Sequence, residues 1–256
     1  MPELRRAGTT YPPSRSLVLC AAPRTGSTLL CELLTGTDVL GYPKEPFAPA
    51  SLAACAEAWG TPEPDVDPGA YLRAALRNGT SPDGTFATKI MWEHLDELRR
   101  WGARQSRAEV LSLFPRPHAL LVTRRDKVAA AVSWVRARST GTWSRSPGGR
   151  NPRPPTLDLD GITAAHRAQH AAEESWRALL AELPTVPTAT LVYEDVAADH
   201  AAAVATAAGL LGREVAGPPP RPTLTMQRDR WTTEVVARWT AATGGCATCA
   251  VPAASP

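Results

Sequence analysis

The sequence predicts an α/β fold built on a parallel sheet. Two observations carry that expectation. Short apolar runs recur at residues 16–22, 85–92, 118–125 and 188–194, and helical patterns fall between them. Strands alternating with helices are the signature of parallel strands joined by crossovers. The chain also has the means to build such a core, with 256 residues of which 43% are hydrophobic.

Each element can be justified in turn. Residues 1–15 are polar and contain proline, which reads as a loose arm. SLVLCAA (16–22) is short, apolar and stopped by Pro23, the pattern of a buried strand. From Ser27 the apolar positions Leu29, Leu30, Leu33 and Leu34 fall at helical spacing, and Gly36 can end that helix. Residues 41–69 are rich in proline and acid, an irregular stretch with one short helix around Leu52–Trp59. TFATKIMW (85–92) suits a second strand and HALLVTRR (118–125) a third, ending in two arginines. DKVAAAVSWVRARST (126–140) reads as a helix opened by Asp126. The proline-rich SRSPGGRNPRPP (144–155) is a loop. A long amphipathic helix (160–183), a fourth strand (188–194), an Ala-rich helix (198–212) and a last helix (231–242) complete the chain. Without an internal repeat or a clear linker, residues 16–242 read as a single domain between an arm (1–15) and a flexible tail (243–256).

Composition excludes several classes. The apolar stretches are far shorter than the roughly 20 residues a membrane helix needs. Arg5 and Arg6 precede a run too short for a signal peptide. Five irregularly placed cysteines do not make a disulfide framework, so reduced thiols in a cytoplasmic protein are expected. The net charge of +3 is small, so any anion site must come from local clusters of Arg and Lys. Neither a nucleic acid nor a membrane is expected as a partner. CATC (246–249) has CxxC spacing but no second pair or histidine cluster, and no metal site is expected.

Two clusters point to chemistry. In PRTGST (23–28) a strand passes through a glycine turn into a helix, whose first N–H groups and partial positive charge suit phosphate or sulfate. Gly26 lets the backbone close on an anion, Arg24 adds a charged donor, and Ser27 and Thr28 add hydroxyls. An ordinary turn with a Ser or Thr cap would read the same way. The loop lacks the first glycine and the lysine of a nucleotide triphosphatase motif. The second cluster is VTRRDKVAAAVSWVRA (122–137). Arg124 and Arg125 stand at the carboxyl end of a strand, where open α/β sheets bind ligands, and Ser133 follows about two helical turns into the next helix. A solvated basic strand end is the plainer alternative.

Together the clusters resemble a sulfotransferase that uses 3′-phosphoadenosine 5′-phosphosulfate (PAPS), and most nearly the bacterial trehalose 2-sulfotransferase family. PRTGSTLL resembles its 5′-phosphosulfate loop and RRDKVAAAVS its 3′-phosphate element. GYPKEPF (41–47) is similar to its G-x-P-x-E-x-F segment, TKIMW (88–92) to its K-L/I-M-W strand, and SWVRARSTGTW (133–143) and LVYEDV (191–196) match in kind and order. The resemblance spans about residue 16 to about residue 240. It implies a three-layer parallel sheet with helices on both faces, the P-loop nucleotide-kinase-like sulfotransferase fold. It departs near the C-terminus, where the family's R-Q-A-D reads MQRD: Gln227 and Asp229 fit, Met226 replaces the arginine, and Arg228 or Arg230 could substitute. The 144–155 loop has no counterpart, which leaves the acceptor open.

The resemblance implies roles. Glu45 is carried over as the base, and Pro43, Pro46 and Phe47 around it could partly desolvate it and strengthen it as a base. Read by itself it is an exposed loop glutamate. His94 is a rival base. Arg24 stands where related cytosolic sulfotransferases carry a lysine (P-K-x-G-S/T-S/T), and so is assigned charge stabilisation at the bridging oxygen, with Lys89 as a candidate assistant. Arg24, Thr25, Gly26, Ser27 and Thr28 are assigned to the 5′ end of PAPS, and Arg124, Arg125 and Ser133 to its 3′-phosphate. Lys89, His94 and Trp143 are candidate acceptor contacts. Tyr193, with Glu194 and Asp195, ends a strand near the site and reads as a cap that ties down the sheet edge. The expected reaction is transfer of a sulfuryl group from PAPS to a hydroxyl of a sugar or of a glycosylated or hydroxylated natural product, leaving adenosine 3′,5′-bisphosphate (PAP), with no metal. Family members pair as dimers, so a homodimer is one expectation. The alternatives are a nucleotide-dependent phosphotransferase and a catalytically inactive relative that binds the bisphosphate.

Overall fold

The computed structural model describes residues 11–144, 155–219, 221–224 and 229–244. The chain divides into two compact units: Met1–Arg125 with Ala172–Pro222, and Asp126–Ala171 with Thr223–Pro256.

In the first unit, β1 (Arg15–Ala21) leads through a tight loop into α1 (Ser27–Thr35). Then come α2 (Leu52–Trp59), α3 (Pro68–Gly79), β2 (Thr85–Met91), α4 (Leu95–Trp101) and β3 (Pro117–Thr123). The second unit takes α5 (Lys127–Thr140) and the start of α6 (Leu159–Ala181). The first resumes with the end of α6, then β4 (Thr188–Val192), α7 (Tyr193–Ala198) and α8 (His200–Leu211), and α9 (Arg230–Thr243) belongs to the second.

The four strands form one sheet in the order β2-β1-β3-β4, all parallel. Leu17 through Ala21 of β1 are fully buried, which explains an apolar run without alternation: both faces are covered. Leu17, Leu19 and Ala21 join Leu30, Leu33 and Leu34 of α1 and Val204, Ala207 and Leu211 of α8. Val18 and Cys20 join Phe47, Tyr71 of α3, Leu95 of α4, Phe114 and Trp176 of α6. The sheet is therefore the middle of three layers, as expected. Full burial of one such Leu or Phe contributes about 1.5–3 kcal/mol.

Several elements differ from expectation. The third strand ends at Thr123, so both arginines lie in the loop beyond it. The fourth ends at Val192, and Tyr193, Glu194 and Asp195 open α7 instead. The stretch expected to be irregular also runs into α3, which starts at Pro68 with the Asp67 side chain accepting from the Ala70 N–H.

The second unit has its own core, in which Ala131 and Val132 of α5 meet Ile162 and Ala165 of α6 and Val235 and Trp239 of α9. The Trp239 indole donates to the Thr163 hydroxyl at 2.9 Å. Asp229 caps α9 by accepting from the Thr232 N–H, and its other oxygen takes the buried Arg136 guanidinium at 2.9 Å. Nearly all of the 144–155 loop, Met226, Gln227, Arg228, CATC and most of both termini lie outside the described residues.

Candidate active site

The strand order turns at β1, which has β2 on one side and β3 on the other. That is the switch point at which open α/β sheets bind ligands, outside the carboxyl ends of the strands. The register aligns those ends: Ala21 pairs with Met91 and with Val122, and Thr123 with Val192. The loop 22–28, Lys89, Arg124 and Tyr193 all issue from this rim.

The loop is built by two left-handed residues, Arg24 (φ 65°) and Gly26 (φ 81°). A left-handed arginine costs roughly 1–2 kcal/mol. Between them the Thr25 hydroxyl donates to the Ala22 carbonyl at 2.9 Å, so this side chain shapes the turn. Gly26 caps α1, whose first turn carries no acidic residue, and its backbone N–H groups are those an anion would use. Ser27 is buried and Thr28 exposed. Arg24 is pushed down to about 10 by burial and by the neighbouring Arg124, and stays a cation at neutral pH.

Lys89 ties this loop to the 41–47 segment. Its ammonium lies 2.9 Å from Glu45 Oε2 and donates to Thr28 Oγ1 at 3.2 Å. Lys89 is 5% exposed, so its charge is matched by the carboxylate rather than by water. The segment itself is fixed from the backbone. The Lys89 N–H donates to the Lys44 carbonyl at 2.8 Å, the Tyr42 N–H to the Gly79 carbonyl at 2.9 Å, and the Tyr71 hydroxyl to the Pro46 carbonyl at 2.7 Å. Only glycine fits at Gly41: φ is 79°, and a Cβ there would stand 2.6 Å from the backbone nitrogen of Ala87. His94 is buried just beyond β2, and its Nδ1 has no hydrogen-bond partner among the described residues. Desolvation lowers its pKa, against the raising effect of Glu93 and Glu45 and with help from Lys89.

On the other side of β1, Arg124 Nη1 donates to the Arg24 carbonyl at 3.1 Å, so the second arginine meets the first loop directly. Arg125 is placed differently. Its guanidinium makes a two-pronged pair with Asp195, both arms 2.8 Å, its side chain is 58% exposed, and its N–H donates to Glu194 at 3.0 Å. Tyr193, which the sequence offers only as a cap, also meets the loop. It caps no helix: Val192 stands at the start of α7 and Asp199 caps α8. Its ring lies against Gly26, where a Cβ would meet Cδ2 at 2.1 Å, and the Arg124 guanidinium sits over that ring at 4.6 Å. The acidic pair after it, at the first turn of α7, was the available signal of a helix start.

Arg24, Thr25, Gly26, Ser27, Thr28, Glu45, Lys89, His94, Arg124 and Arg125 thus all belong to the first unit. Ser133, half-buried on α5, and Trp143, half-exposed past its end, belong to the second. Among the described residues, no group of three or more His, Cys, Asp and Glu is placed to hold a metal, and no helix is long and apolar enough to cross a membrane.

Residues 16–242 match the family model described as Stf0 sulphotransferase. A protein named trehalose 2-sulfotransferase from Mycobacterium tuberculosis is 27% identical over 197 residues, 66% of this chain and 73% of its own. One of the same name from Mycolicibacterium smegmatis is 27% identical over 255 residues, 89% of this chain and 94% of its own. Among solved structures, a sulfotransferase from Alicyclobacillus acidocaldarius is 17% identical with a TM-score of 0.49, covering 91% of this chain and 96% of that one.

Proposed function

Because the chain belongs to the Stf0 sulphotransferase family, we propose that it transfers a sulfuryl group from PAPS to a hydroxyl of a sugar or of a glycosylated or hydroxylated natural product. The observation that carries the donor assignment is the meeting of Arg24 and Arg124 at the β1/β3 switch point, beside an acid-free helix start. Two cations held this close repel each other, and an anion with more than one phosphate relieves both. The residues therefore fit PAPS, which supplies an activated sulfuryl group and a phosphate able to leave.

Arg24 and the first N–H groups of α1 take the 5′ end of the donor, and Arg124 takes the 3′-phosphate. Glu45 accepts the proton of the acceptor hydroxyl. Lys89 holds that carboxylate in place while bonding Thr28, so the base and the anion loop are set by one ammonium. Arg24 opposes the charge that develops on the leaving phosphate oxygen, an effect worth about 3 kcal/mol for one well-aimed donor. The names of the two curated relatives support a sugar hydroxyl as acceptor.

Incubation with PAPS and a panel of trehalose, other sugars and hydroxylated metabolites tests the reading. A product heavier by one sulfate, with matching release of PAP, supports it. A chain that sulfates none of them and binds ATP in place of PAP overturns it.

A further inference from the structure

We propose that Tyr193 is a positioning residue for the donor site, its ring edge setting the anion loop at Gly26 and its ring face setting the Arg124 guanidinium. The inference rests on the PAPS reading above.

Three contacts and the chain itself close a circuit. The ring edge meets Gly26, at which a Cβ would stand 2.1 Å from Cδ2 and 2.9 Å from Cε2. The ring face lies under Arg124, 4.6 Å from the guanidinium carbon to the ring centre. Arg124 then donates to the carbonyl of Arg24 at 3.1 Å. Arg24 returns to Gly26 through Thr25, whose hydroxyl is bound to Ala22. The circuit joins the loop after β1, the end of β3 and the start of α7.

The loop needs such a support. Arg24 and Gly26 are both left-handed, and a left-handed arginine persists only where its surroundings hold it. Arg124 needs one too, because its long side chain has many rotamers and Arg24 repels it. An aromatic face restricts the guanidinium without itself consuming N–H donors. Glu194, the next residue, fixes the same corner by accepting from the Arg125 N–H at 3.0 Å, with Arg124 Nε at 4.0 Å. The contacts on Gly26 and Arg124 are made by ring carbons, so the ring and not the hydroxyl carries the role.

The test compares Tyr193→Phe with Tyr193→Leu in the full chain, by calorimetric titration of PAP, by steady-state kinetics against PAPS and by thermal unfolding. Tyr193→Phe should match the wild type. Tyr193→Leu should weaken PAP binding and raise KM for PAPS by about ten-fold, with kcat reduced far less. If the leucine variant does not fold, Tyr193→His, which keeps a smaller flat ring, should give a loss of roughly three-fold. A leucine variant with unchanged PAP affinity, or one that loses only thermal stability, overturns the proposal. So does a phenylalanine variant as impaired as leucine, which would give the hydroxyl a direct role. Wild-type chain that binds no PAP would overturn the donor assignment itself, and this inference with it.

Discussion

Lys89 and Glu45 face each other across 2.9 Å, and the same ammonium reaches the Thr28 hydroxyl at 3.2 Å. The candidate base and the anion loop, separate in sequence, are thus tied by a lysine that is nearly sealed from water. The pairing also explains why glutamate stands there: a buried ammonium needs a charged or strongly polar partner.

Glu45→Gln keeps an acceptor for Lys89 and removes the base. Turnover should fall by about 10²–10⁴, while PAP still binds as in the wild type. Glu45→Ala should also lose about 1–3 kcal/mol of stability, because Lys89 is left without its carboxylate. Kinetics and urea denaturation separate the two effects. A glutamine variant with normal turnover would remove Glu45 from the reaction.

Arg124 and Arg125 are adjacent but should not be equivalent. Arg124 already bonds the loop carbonyl of Arg24, whereas Arg125 must give up Asp195 to serve a ligand. Arg124→Ala should weaken PAP binding by about ten- to a hundred-fold, and Arg125→Ala by far less. Titration calorimetry reads both. Equal losses would give Arg125 an equal share in holding the donor.

Gly41→Ala should be among the more damaging small substitutions. The new Cβ would stand 2.5 Å from the Ala87 Cβ and 2.6 Å from its nitrogen, at φ 79°. Strain and overpacking together predict a loss of about 2–4 kcal/mol, and with it displacement of Glu45. The urea midpoint checks the first effect and turnover the second.

Acid should destabilise the chain through His94. Burial holds its folded pKa below the unfolded value of about 6.5. Between those values the unfolded chain binds the proton more readily, so stability is complete above about pH 6.5 and falls as the pH drops. Glu93 and Glu45 oppose the shift and Lys89 adds to it. His166, buried in the second unit beside His170, Lys127 and Arg167, acts with the same sign. Melting temperatures between about pH 7 and pH 5.5 should decline less for His94→Gln than for the wild type. An unchanged slope would mean that His94 does not titrate differently on folding.

The fold was legible wherever local pattern and tertiary burial agree. β1 is apolar because both its faces are covered, and α1 shows its Leu30, Leu33 and Leu34 stripe and its Gly36 stop. α3 was hidden because small residues fill its buried face, Ala74 and Ala75 beside Tyr71. Its cap, Asp67 before Pro68, was the one signal left. α4 is a helix of seven residues, too short to show a period. In the site, Gly26 and the arginines were readable as types of residue. The Lys89–Glu45 pair, the Arg125–Asp195 pair and the Tyr193 ring on Gly26 join residues far apart in the chain, and no spacing encodes them.

The most direct test of the donor site is calorimetric titration of the wild-type chain and its Arg24→Ala and Arg124→Ala variants with PAP and with ATP. We expect one PAP bound per chain, affinity reduced in both variants, and little or no ATP binding. Tighter binding of ATP than of PAP, or PAP affinity unaffected by either substitution, would contradict a donor gripped by these two arginines at the β1/β3 rim.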